Sequence, residues 1–102
     1  MIKFIIDVKL WRDKVNGNTY HAVNITDTNT NKLVYSSGLV YGYGEQYKHT
    51  TKDALIKLGL LKEEERTNHE LLREILYYSV SDNCLQRELK KISIEDWYKW
   101  LA

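Results

Sequence analysis

The sequence predicts an α+β protein: a three-stranded antiparallel sheet packed by a helix and followed by a C-terminal helical part, in the order β-β-β-α-α-α-α. Three observations predict it. Apolar and polar residues alternate from Lys3 to Arg12, two turn-forming clusters break the first third of the chain, and beyond Gly44 the apolar spacing lengthens to helical period. With 102 residues the chain has the size of one ordinary domain, residues 1–102, divided here into a sheet half (1–44) and a helical half (45–102).

The first strand is "KFIIDVKLWR", in which Phe4, Ile6, Val8 and Leu10 form one face and Lys3, Asp7 and Lys9 the other. Asn16-Gly17 follows, a strong hairpin sequence, because both central residues of a type I′ turn take positive φ. The return strand "TYHAVNIT" sets Tyr20, Ala22 and Asn24 against His21, Val23 and Ile25. "DTNTNK" makes a second turn from side chains that hydrogen-bond their own backbone. A third strand, "KLVYSSGLVY", is interrupted at Ser36-Ser37-Gly38 by a bulge or bend.

The helical half starts after "YGYGEQYKHTT", Tyr41 to Thr51. Tyr47, Thr51, Ala54, Leu55 and Leu58 form one stripe, and Gly59 stands where a left-handed C-terminal cap belongs. Thr67 precedes Glu70 at capping-box spacing, so a second helix is expected with Leu71, Leu72, Ile75, Leu76 and Val80 as its buried stripe. Ser81 caps a further helical segment through "DNCLQRELKKI", and Ser93 with Asp96 opens a final helix "IEDWYKWL".

Composition narrows the function classes. Fifteen basic against fourteen acidic residues give a net charge of +1, which argues against a domain that collects phosphates by bulk charge. Eight Lys/Arg and five Asp/Glu fall in Met1 to Leu60, so that stretch is slightly basic and the remainder, Leu61 to Ala102, slightly acidic. The single cysteine, Cys84, excludes an internal disulfide and a four-cysteine zinc site, as expected for a reducing compartment. No apolar run of about 18 residues and no signal-peptide pattern occurs, so the expectation is a cytoplasmic protein with no membrane association.

No catalytic constellation emerges. His21, His49 and His69 lack ligand partners at metal spacing, Cys84 has no local elbow or oxyanion signature, and "KEEER" at Lys62 to Arg66 is a solvated helix start favoured by the helix dipole. Accordingly no enzyme activity, metal or cofactor is predicted. Gly42 and Gly44 fall short of a dinucleotide or phosphate-loop fingerprint, and Glu45 is placed to occupy the positive end of the helix itself. The glycines then serve a tight strand-to-helix corner, and functional interest moves to Tyr41, Tyr43, Gln46, Tyr47 and Lys48. Tyr20, Arg12 and Lys14 join them as candidate binding residues of the sheet region. In the tail, Trp97, Trp100 and Leu101 form a core-docking stripe before they form a binding surface.

"NGNTYHAVNI", Asn16 to Ile25, together with "YGYGEQYKHTT" resembles small uncharacterised proteins encoded by tailed phages and prophages, which pair a Tyr-His strand with a Tyr-Gly-Tyr-Gly-acid-Gln-Tyr corner. The resemblance covers about Val15 to Leu58 and implies context only, a viral or mobile-element accessory protein; it carries over no catalytic residue. The expected function is nonenzymatic binding of a macromolecule, foremost a host protein, as small anti-CRISPR-type inhibitors of defence complexes do. One alternative is a nucleic-acid binder using the sheet and its basic rim. The other is a small-ligand or nucleotide binder at the Tyr41 to Tyr47 corner. Homodimerisation through a sheet edge is compatible with each.

Overall fold

The computed structural model describes residues 1–91. Its sheet has five strands, not three: β1 (Phe4–Asp13), β2 (Asn18–Asp27), β3 (Lys32–Ser36), β4 (Val40–Tyr41) and β5 (Leu76–Ser81). Two α-helices accompany it, α1 (Gln46–Lys57) and α2 (His69–Ile75), with 3-10 turns at Glu63–Thr67 and Gln86–Glu88. The order across the sheet is β3-β2-β1-β5, and β4 pairs with β2 beyond the end of β3. β1, β2, β3 and β4 are antiparallel neighbours, whereas β5 runs parallel to β1, so the sheet is mixed.

The expected all-helical second half is therefore corrected at Leu76. "ILYYSV" fits a helical stripe, but Leu76, Tyr78 and Val80 also alternate, and the tyrosines and valine are β-formers. The vacant edge of β1 decides between the two. Phe4, Ile6 and Val8 stand in register with Leu76, Tyr78 and Val80, and α2 stops at Ile75 as the backbone turns extended at Leu76. Val80 is consequently 44% exposed rather than part of a buried helical stripe. After β5 only the Gln86–Glu88 turn is helical among the described residues, and the expected final helix with Trp97 and Trp100 lies outside them.

Both hairpins share one loop design, which also corrects the expected type I′ turn. Asp13 accepts the amides of Val15 and Asn16 at 3.1 and 3.3 Å, and its carbonyl accepts Gly17 N–H at 2.7 Å. Asp27 likewise accepts the amide of Asn29 at 2.8 Å and, through its carbonyl, Asn31 N–H at 2.7 Å. Gly17 and Asn31 take the left-handed conformation that closes each loop, with φ of 70° and 56°. Asn16 does not share the positive φ that a type I′ turn demands. Between β3 and β4 the predicted interruption is present: Ser37 bridges it, its amide donating to Val23 O and its Oγ accepting Val23 N–H, both at 2.9 Å.

The main core lies between one sheet face and the helices. Phe4, Ile6, Val8, Val23 and Ile25 meet Ala54 and Leu55 of α1, Leu72 and Ile75 of α2, and Leu61 and Leu76. Complete burial of an aliphatic side chain of this size stabilises the fold by about 1.5–3 kcal/mol. Leu58, expected on the buried stripe, is exposed where α1 ends, one residue before left-handed Gly59. Asn68 rather than Thr67 caps α2, accepting Leu71 N–H at 3.2 Å. Arg66 fastens the inter-helix turn to α1, bonding Asp53 and, at 3.1 Å, Glu63. β2 is buried on both faces, since Ala22, Asn24 and Thr26 on its second face are covered too. The chain after β5 reaches the opposite edge of the sheet: Cys84 N–H donates to Leu10 O at 2.9 Å, Leu89 is buried, and Lys91 lies against Gly38.

Candidate functional site

The corner "YGYGEQY" separates side chains that the sequence places together. Tyr41 and Tyr43 point outward, 54% and 55% exposed. Tyr47 instead packs inward from α1, edge-on to Tyr78 of β5 with ring centroids 5.7 Å apart. Gln46 lies under Gly42, where a methyl group on the glycine would stand 2.4 Å from Gln46 Cγ, 2.7 Å from its Cβ and 3.2 Å from His21 Cε1. The two corner glycines thus answer different needs. Gly42 permits close approach, and Gly44, with φ of 57° and open space around it, turns the chain into α1.

Tyr41 and Tyr43 belong to a row of four rings. Trp11 of β1 is in register with Tyr20 of β2, and Tyr20 with Tyr41 of β4. Trp11 and Tyr20 stack at 5.1 Å and 27°, Tyr20 meets Tyr41 edge-on at 5.6 Å and 75°, and Tyr41 meets Tyr43 edge-on at 5.5 Å and 81°. Each such pair contributes about 0.5–1.5 kcal/mol beyond its buried area, so the row holds its own shape. The Tyr43 hydroxyl donates to Gly17 O at 3.3 Å and lies 3.2 Å from Asn18 Oδ1, tying the corner to the first hairpin. The Tyr41 hydroxyl is held above its ordinary acidity constant, first by its hydrogen bond with Tyr43.

Of the other candidates at this end, Arg12 is in register with Thr19, alternates to the face opposite Trp11, and pairs loosely with Asp82 at 3.7 Å. Lys14 sits in the hairpin loop and makes no ion pair among the described residues. Trp11 is the residue of the row that single-strand alternation does not single out; its ring partner follows only from the hairpin register.

A second concavity lies between the two helices, over β5, with a volume of about 530 Å³. Its floor is Leu72, Leu76 and Tyr78. Glu45, just before α1, lines it with Lys48, His49 and Lys52 of α1 and with His69 and Arg73 of α2. Lys48 bonds Glu45 at 3.1 Å and stands 5.8 Å above the centre of the Tyr78 ring, so Glu45 engages its own helix's lysine without capping α1. Burial, followed by the nearby Tyr47, pushes the Tyr78 hydroxyl up to about 12, and it stays protonated at neutral pH.

His21 belongs to neither surface. It is 1% exposed, with Nε2 2.8 Å from Thr50 Oγ1 and with Nδ1 buried without a partner. The Thr50 hydroxyl donates to Gln46 O at 3.4 Å, which leaves its oxygen to accept the imidazole N–H. Burial depresses the imidazole's proton affinity, so His21 is a neutral strut between β2 and α1.

Compared with protein-family models, curated proteins and solved structures, the chain shows no significant match. The functional assignment accordingly rests on the surfaces themselves. Among the described residues, no helix is long and apolar enough to cross a membrane.

Proposed function

We propose that the chain is a nonenzymatic binding protein that docks a protein partner through the Trp11–Tyr20–Tyr41–Tyr43 row, serving a virus or mobile element as an accessory factor in its host's cytoplasm. The observation that carries this reading is the row itself: four aromatic rings in register across three strands and the following corner, two of them more than half exposed. Large rigid rings give contact area at little entropic cost, and tyrosine and tryptophan dominate interface hot spots. A protein partner fits better than a nucleic acid, because the net charge is +1 and Arg12, the guanidinium nearest the row in sequence, already has Asp82 as its counter-charge.

The test is capture from host lysate by the parent chain and by Tyr41→Ala and Trp11→Ala variants, with and without nuclease. Recovery of a defined protein that survives nuclease and is lost with either variant, while circular dichroism shows both variants folded, supports the assignment. Loss of a hot-spot ring lowers affinity about thirtyfold or more. Recovery that nuclease abolishes, with a binding slope in salt equivalent to several phosphates, replaces it with the nucleic-acid reading.

A further inference from the structure

We infer that the groove between α1 and α2 is a separate binding site for a phosphate-bearing small molecule of nucleoside-diphosphate size. The helices bring cationic side chains to it from both walls, Lys48 and Lys52 one turn apart on α1 and Arg73 on α2, with the His69 imidazole one turn before Arg73. Among the described residues neither Lys52 nor Arg73 makes an ion pair, in contrast to Arg12 and Arg66. The groove's one carboxylate, Glu45, is already engaged with Lys48. Two uncompensated cations therefore share a cavity across which they repel each other, and a dianion between them removes that repulsion.

The remaining features select the ligand's other parts. The apolar floor of Leu72, Leu76 and the Tyr78 ring offers a planar base a seat beneath the charges, and about 530 Å³ lies within the range of small-molecule sites. Arg73 supplies a planar fork suited to two oxygens of one phosphate, and Lys52 a point charge for the second. A long polyanion fits less well. The Glu63–Glu65 run in the 3-10 turn that precedes α2 keeps net negative charge although Arg66 pairs with Glu63, and it disfavours a phosphodiester chain running past that turn.

Titration of the full chain with ADP and GDP at physiological salt, followed by calorimetry and by amide chemical shifts, tests the inference. Saturable one-to-one binding is expected, with shifts confined to α1, α2 and β5. Arg73→Ala and Lys52→Ala each weaken it about tenfold, the loss of one charge-assisted contact. Lys32→Ala, on the far strand β3, leaves it unchanged, and adenosine binds at least about tenfold more weakly than ADP by the same reasoning. The inference is overturned by the absence of saturable binding, by an Arg73→Ala/Lys52→Ala variant that binds as the parent does, or by shifts that map to the aromatic row. Pyrophosphate bound as tightly as ADP overturns the seat for the base. Because Tyr41→Ala spares this groove and Arg73→Ala spares the aromatic row, failure of either site is read independently of the other.

Discussion

Gly42→Ala is the substitution whose effect follows most directly from the coordinates. Gly42 makes room for α1: a methyl group there would lie 2.4 Å from Gln46 Cγ and 2.7 Å from Gln46 Cβ, where carbon atoms normally rest about 3.5–4.0 Å apart. A new rotamer can carry Cγ away, but Cβ is fixed to the first residue of the helix, so β4 and α1 must separate by several tenths of an ångström. His21 Cε1, 3.2 Å from the same point and buried, blocks the sideways escape. Overpacking of this kind costs about 1–3 kcal/mol, and about 4–8 °C of melting temperature accompanies each kcal/mol in a domain of this size. Thermal denaturation followed by circular dichroism should therefore show a loss of about 4–24 °C. Adding Gln46→Ala to Gly42→Ala should recover part of it by removing Cγ, a positive coupling in a double-mutant cycle. A Gly42→Ala protein that melts with the parent, or a double variant whose losses simply add, would refute the close-approach account. Gly44→Ala provides the contrast, costing about 1–2 kcal/mol through left-handed backbone alone with no dependence on residue 46.

Other outcomes follow from burial and from titration. Leu55→Ala, at a fully buried position of the main core, should lower unfolding free energy by about 2–5 kcal/mol in a denaturant titration. Burial lowers His21 from its ordinary value of 6.5, so below that pH the unfolded chain holds a proton that the folded chain does not. Stability should accordingly fall as pH drops from about 7 toward the depressed folded value, and His21→Gln should remove that part of the slope in denaturation curves taken across this range. Asp7 is raised by burial despite the opposing charge of Lys9, so Asp7→Asn should raise the melting temperature at neutral pH. Tyr78, pushed up to about 12, should be the late component in a spectrophotometric tyrosine titration, and Tyr78→Phe should delete it.

How much of this was legible in the sequence depended on the reach of each interaction. Alternation along β1, the Gly59 helix end and the break at Ser37 are local and were readable from side-chain spacing. The hairpin illustrates a local misreading with distant effects. A two-residue Asn16-Gly17 turn sets Trp11 opposite Ala22, whereas the four-residue loop built on Asp13 shifts the pairing by two and sets Trp11 opposite Tyr20. The aromatic row is visible only in the second register. The segment from Leu76 to Ser81 was ambiguous for another reason: its apolar residues satisfy helix and strand periods alike, and the partner that resolves the ambiguity, β1, lies at the other end of the chain. The sequence places the corner tyrosines at one end of the sheet but leaves their direction open: Tyr47 turns inward on α1 while Tyr41 and Tyr43 face solvent.

The parallel pairing of β1 with β5 bears on how the molecule assembles. Phe4 and Leu76 are neighbours in space although most of the described chain separates them, and loop-closure entropy makes such contacts slow to form. The two antiparallel hairpins can close early, on their own turns. The sheet cannot be completed until residues 76–81 arrive, and until then the backbone groups of Ile6 and Val8 that face β5 are open to foreign strands. The interval between hairpin formation and β5 docking is thus when this chain is most exposed to aggregation. Substitutions that weaken α2, which delivers β5 to its place, should lengthen that interval before they measurably lower equilibrium stability.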